Sequence, residues 1–131
     1  MKKSREERIN DIKNDYNGLC PYLTLNNEYK KLPDSYPIHY LYKDPIDEFC
    51  KKYDNFGHFY TEKKSSLQGL ICYYNLDLSF NEYIIMTIDK SYTTESEIEL
   101  CNKIDNFYKE SLQYAKKIKD EAINDINISY L

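Results

Sequence analysis

"GLICYYNLDLSFNEYIIMTID", residues 69–89, decides how the fold is read. Its first half alternates. Leu70, Cys72, Tyr74, Leu76, Leu78 and Phe80 fall on one side, and Ile71, Tyr73, Asn75, Asp77 and Ser79 on the other. A period of two is the strand period. In the second half Ile84, Met86 and Ile88 share a face, and the density of β-branched residues favours strand. The stretch reads as two strands joined near Asn81-Glu82. One feature competes: Ser79 and Glu82 match the S-x-x-E capping box, which would start a helix over 80–91. Alternation and β-branching together favour strand.

The segments on either side are then placed around this pair. Toward the C-terminus, Thr94 and Glu97 form another capping box, and a long helix is expected over 95–125. Ile98, Cys101, Ile104, Tyr108, Leu112, Ala115, Ala122 and Ile126 mark its buried stripe at spacings of three, four and seven. Toward the N-terminus, Ser4 and Glu7 cap a first helix with a thin stripe of Ile9, Ile12 and Tyr16, and Asn17-Gly18 is expected to end it. "CPYLTLNNEYKKL" then reads as a hairpin turning at Asn26-Asn27, and Pro33-Asp34 turns the chain. "SYPIHYLYK" reads as an edge strand with Ile38, Tyr40 and Tyr42 on one side. "DPIDEFCKKYDNFG" reads as a short helix. Asp44 caps it, Pro45 opens it, Ile46, Phe49, Cys50 and Tyr53 form its stripe, and Gly57 ends it. "HFYTE" is a short strand or a turn. The expected fold is a single α+β domain over 1–131 with a mainly antiparallel sheet, in the order helix-β-β-β-helix-β-β-helix and with a long C-terminal amphipathic helix.

In this layout one face of 70–80 lies under the last helix. The other face carries Ile71, Tyr73 and Ile85, which is apolar for a solvated side. With Tyr40 and Tyr42 these residues form the expected partner-binding surface. The chain has fifteen Tyr, five Phe and no Trp. Tyr combines a large apolar body with a hydroxyl, and it is favoured at interfaces. The overlong last helix is a second place where a partner could dock.

Charge and cysteine usage narrow the function classes. The net charge of −4 weighs against nucleic-acid binding, which needs a basic patch. Tyr36, Tyr40, Tyr42, Tyr73 and Tyr74 could stack on bases, but no basic groove accompanies them. No apolar run is long enough to span a membrane, and no secretory signal is seen, so a cytoplasmic protein is expected. Cys20, Cys50, Cys72 and Cys101 fit no zinc spacing. Each stands where a small buried hydrophobe would serve, although an oxidising compartment would allow three pairings.

No catalytic signature is found. Glycines at 18, 57 and 69 are too scattered to cradle a phosphate. His39 and His58 sit in no local signature, and a Cys50–His58 nucleophile pair depends on geometry. Asp44, Asp47, Glu48 and Asp54 are accounted for largely by helix capping and the helix dipole. No catalytic residue, metal or cofactor is expected.

The element order resembles the type III secretion chaperones of the CesT-like class. "NGLCPYLTLNNEY" after the first helix, "GLICYYNLDLSFNEYIIMTID" as the last two strands, and "TTESEIELCNKIDNFYKESL" opening the last helix carry the resemblance. It implies a homodimer paired through the helix at 45–56, with Ile46, Phe49 and Tyr53 in the dimer contact. It also implies a partner polypeptide wrapped over exposed apolar patches, with no enzyme activity and no cofactor. A rival reading is a small inhibitor or immunity protein of a phage or other mobile element, which blocks a target by direct binding. Either way, the expected function is that of a non-enzymatic protein-binding module.

Overall fold

The stretch 79–89 folds as a helix. Ser79 accepts a hydrogen bond from the Glu82 backbone N–H at 3.3 Å, and the Glu82 carboxylate accepts one from the Ser79 N–H at 3.2 Å. Both halves of the capping box are therefore made. Phe80, Tyr83, Ile84 and Thr87 are buried, which is the spacing of one helical face. The cap and this face outweigh the β-branched density, whose pull toward strand depends on context.

The computed structural model describes residues 2–24 and 38–131, with 38–44 as backbone. Five helices are described: α1 (Arg5–Leu23), α2 (Ile38–Lys52), α3 (Asp54–Tyr73), α4 (Phe80–Asp89) and α5 (Glu95–Ser129). No strand occurs among the described residues. The α+β expectation with an antiparallel sheet is therefore overturned, and the element order that carried the resemblance to the CesT-like chaperones is replaced by a run of helices.

Each misread strand has a local reason. Residues 70–73 are the last turn of α3. That helix ends at Asn75, whose φ of 53° puts it in the left-handed region. There the Leu76 N–H bonds the Ile71 carbonyl at 3.0 Å and the Asn75 N–H bonds the Cys72 carbonyl at 3.1 Å, a Schellman ending. After it, Leu76 and Leu78 turn toward the core while Asp77 and Ser79 face out. The period of two is real there, but it belongs to an irregular linker. The strands expected at 38–42 and in "HFYTE" are parts of α2 and α3.

Prolines and glycines were also misplaced. Asn17-Gly18 does not stop α1, which runs through Pro21 to Leu23. Pro45 lies inside α2 rather than at its start. Gly57 lies inside α3, where a Cβ would come within 2.9 Å of the Cys50 carbonyl oxygen. Its role is to let α2 and α3 approach closely beside Tyr53, the single non-helical residue between them. The hairpin expected over 20–32 begins inside α1. Its turn at Asn26-Asn27, and Pro33-Asp34, lie outside the described residues.

Three expectations hold. Ser4 caps α1 and Thr94 caps α5, each accepting from the N–H three residues on at 3.2 Å. The last helix, expected over 95–125, is α5. At 1.5 Å per residue α5 is about 52 Å long, and it is the axis on which α1, α3 and α4 pack. Cys101, Ile104, Tyr108, Ala115 and Ile126 are buried as its pattern predicts, and Leu100, Phe107 and Ser111 join them. The fully buried Ser111 hydroxyl donates to the Phe107 carbonyl at 2.7 Å, so no polar atom is stranded.

Aromatic rings fill the centre. Phe49 meets Phe56 edge-on at 4.9 Å, Phe56 stacks on Tyr60 at 5.8 Å, and Tyr60 meets Phe107 at 4.8 Å. Phe107 in turn touches Tyr108 and Phe80. The rings tie α2, α3, α4 and α5 together with large apolar area and quadrupole-favoured contacts.

The C-terminal half of α5 is covered by α1. Arg5 donates to Asn127 at 2.6 Å, and the Lys119 ammonium sits 4.5 Å from the Tyr16 ring centre. Beginning meets end, so the two helices run antiparallel. The overlong helix therefore has a cover within its own chain.

Candidate interaction surface

Cys50 and His58 do line one shallow depression on α2 and α3, with Asp54 and Glu62 beside them. Burial pushes the Cys50 thiol up to about 11, and Asp47 adds to the shift. A thiol nucleophile needs the opposite shift, toward thiolate at neutral pH. Among the described residues no group of His, Cys, Asp and Glu could hold a metal ion. All four cysteines are free: Cys101 is buried, Cys20 and Cys50 are half-buried, and Cys72 is exposed. No helix among the described residues is long and apolar enough to cross a membrane.

The residues expected to pair two copies lie inside one. Ile46 and Phe49 are buried in the chain's own core. Tyr53 is half-buried, and its hydroxyl donates to Asp15 at 3.1 Å. Lys52 reaches the same carboxylate at 2.6 Å, which ties α2 to α1. Burial, then the bond to Asp15, pushes the Tyr53 phenol up to about 12.

Of the expected partner-binding residues, Ile71 and Ile85 pack against the core. The Tyr40 and Tyr42 side chains lie outside the described residues. Tyr73 stands at the surface, 78% exposed. The structure thus separates residues that the strand reading put on one face.

Tyr73 stands at a braced corner. Its ring meets Tyr74 edge-on at 5.4 Å. The Tyr74 hydroxyl donates to Glu99 at 2.7 Å, crossing from the end of α3 to the beginning of α5. Ile98, next to Glu99, is 40% exposed rather than part of the buried stripe. The exposed Cys72 thiol adjoins Tyr73 in sequence.

A shallow groove lies between α3 and α5. Phe59 stacks on Tyr114 at 4.8 Å, and Tyr74 reaches Glu99 farther along α3 and farther back along α5, so the pair is antiparallel. Leu67, Leu70 and Phe107 line the floor. Lys63 and Ser66 stand on the α3 wall, and Lys103, Asn106 and Glu110 on the α5 wall. The volume is about 300 Å³. Compared with known proteins, the chain matches no family model, no curated protein and no solved structure.

The strand reading missed Tyr74, Glu99, Lys63 and Lys103 as surface neighbours. Their signal is present in helical spacing: Lys63, Leu67, Leu70 and Tyr74 recur at intervals of four, three and four, along one face of a helix.

Proposed function

We propose that this chain is a non-enzymatic protein-binding module whose contact with its partner is centred on Tyr73. The observation that carries the reading is the exposed Tyr73 ring packed on Tyr74, which is itself held by Glu99. A tyrosine ring has few rotatable bonds to order on binding, and Tyr is a common energetic anchor at interfaces. The raised Cys50 thiol is consistent with a role other than nucleophilic catalysis.

The test is co-purification from an extract of the source cells with the wild-type chain and with Tyr73→Glu. Because Tyr73 is exposed, the variant should keep its far-UV circular dichroism and melting curve. A polypeptide retained by the wild type and lost by the folded variant supports the reading. Equal retention by both contradicts it.

A further inference from the structure

We infer that a second copy of this chain docks on the C-terminal half of α5, taking the place of the first turns of α1. The inference stands apart from the Tyr73 contact and starts from a repeat. Residues 2–16, "KKSREERINDIKNDY", and 116–130, "KKIKDEAINDINISY", are identical at eight of fifteen positions. Arg5 and Lys119 keep the charge at a further position, as do Glu6 and Asp120.

The fold packs the two stretches against each other. Ile9 is the centre of one and Ile123 the centre of the other. Arg5, four residues before the first centre, donates to Asn127, four residues after the second, at 2.6 Å. Lys119 is the counterpart of Arg5, and it too reaches across, to the Tyr16 ring at the end of the first stretch. The two stretches are thus antiparallel and centre to centre, related by a local two-fold axis. Burial follows the same relation: Ile9 and Ile123 are both half-buried, and Asn10 and Asn124 are both exposed.

A two-fold pair of like helices is isologous, so a surface that fits its counterpart also fits itself. Residues 116–130 of a second copy therefore present to α5 nearly what α1 presents. The second copy's Lys119 replaces Arg5 opposite Asn127, its Ile123 and Ile126 replace Ile9 and Ile12, and its Glu121 and Asp125 replace Glu7 and Asp11. Arg8, Lys13 and Asp15 give way to Ala122, Asn127 and Ser129, which brings no new charge to the pair. Antiparallel pairing about Ile123 carries the rest of the second copy past Leu131, clear of the first body.

The seat can be vacated without unfolding that body. Among the described residues the bonds from α1 to α2 begin at Asp15, through Tyr53 and Lys52, so the turns before it can lift while this clasp stays. Helix ends open at low cost. In the single chain α1 holds the seat by its high effective concentration, so the wild type pairs weakly.

Light scattering and sedimentation on the full chain test the inference. Ile9→Asp loosens α1 but leaves the α5 stretch intact, and it should tighten dimerisation by about ten-fold as the competing helix leaves. Adding Ile123→Asp, the equivalent change in the other stretch, should return the chain to monomer. Circular dichroism checks that both variants keep their helices. The milder Ile9→Ala should shift the balance in the same direction, and it decides the case if Ile9→Asp fails to fold. A gain that Ile123→Asp removes supports the inference. No gain with a folded Ile9 variant, or a gain that survives Ile123→Asp, overturns it.

Discussion

The Tyr74 hydroxyl donates to Glu99 at 2.7 Å and so joins the last turn of α3 to the first turns of α5. Tyr73 meets Tyr74 edge-on, so this bond holds the ring on which the exposed Tyr73 rests. The carboxylate raises the Tyr74 phenol, first through the hydrogen bond itself. Tyr74→Phe should leave the melting curve unchanged and loosen the Tyr73 ring. Partner affinity should fall while stability does not, which paired binding and thermal measurements will read.

Gly57 and Gly69 make a matched pair in one helix. A Cβ at Gly57 would meet backbone at 2.9 Å, whereas one at Gly69 would meet nothing within 4 Å. Gly57→Ala should destabilise the fold by about 1–3 kcal/mol through overpacking. Gly69→Ala should stabilise it by about 0.5–1 kcal/mol, by raising helix propensity and reducing unfolded-state entropy. Urea unfolding of the two variants measures both.

Two neighbours on α5 should behave oppositely. Phe107 is buried among Tyr60, Tyr108 and Phe80, so Phe107→Ala should cost about 3–5 kcal/mol. Ser111 is equally deep, but its hydroxyl satisfies only its own helix. Ser111→Ala should be neutral or stabilising by about 0.5 kcal/mol. A larger loss at 111 would mean that the hydroxyl has a second partner.

Alkaline pH should weaken the α1–α2 contact. Burial and the bond to Asp15 push the Tyr53 phenol from its ordinary 10.0 up to about 12 in the folded chain. A raised folded value means that the folded state holds the proton more tightly. Its contribution is complete below pH 10 and is lost as the pH rises through about 12. Tyr16, raised to about 12 by burial and by its bond to Cys20, acts in the same direction. Tyr53→Phe should flatten the alkaline fall in stability, with Tyr16 accounting for what remains. Melting temperatures across this range give the slope.

The sequence was legible where local chemistry and packing agreed. The caps at Ser4 and Thr94 and the stripe of α5 could be read because a polar start was followed by a long helical period. The stretch 79–89 carried both signals at once, and its β-branched residues hid a cap that forms in full. The alternation of Leu76, Leu78 and Phe80 came from a linker laid over the core, which period alone cannot distinguish from a strand. Gly57 looked like a helix terminator because the partner that requires it, the Cys50 carbonyl, is a tertiary contact. Tyr73 was placed at the surface for the wrong reason, as a residue on the outer face of a strand. Ile71 and Ile85 were grouped with it by that pattern, and helix geometry turns both inward. The lysines of the groove were invisible because no strand arrangement brings 63 beside 110 and 70 beside 103.

The most direct measurement is photo-crosslinking from Cys72, the exposed thiol next to Tyr73. A photoreactive maleimide is placed there in a chain carrying Cys20→Ser and Cys50→Ser, and the chain is irradiated in an extract of the source cells. The account predicts a crosslink to a distinct polypeptide that disappears when Tyr73→Glu is added to the folded chain. A crosslink that persists unchanged in that variant would contradict it.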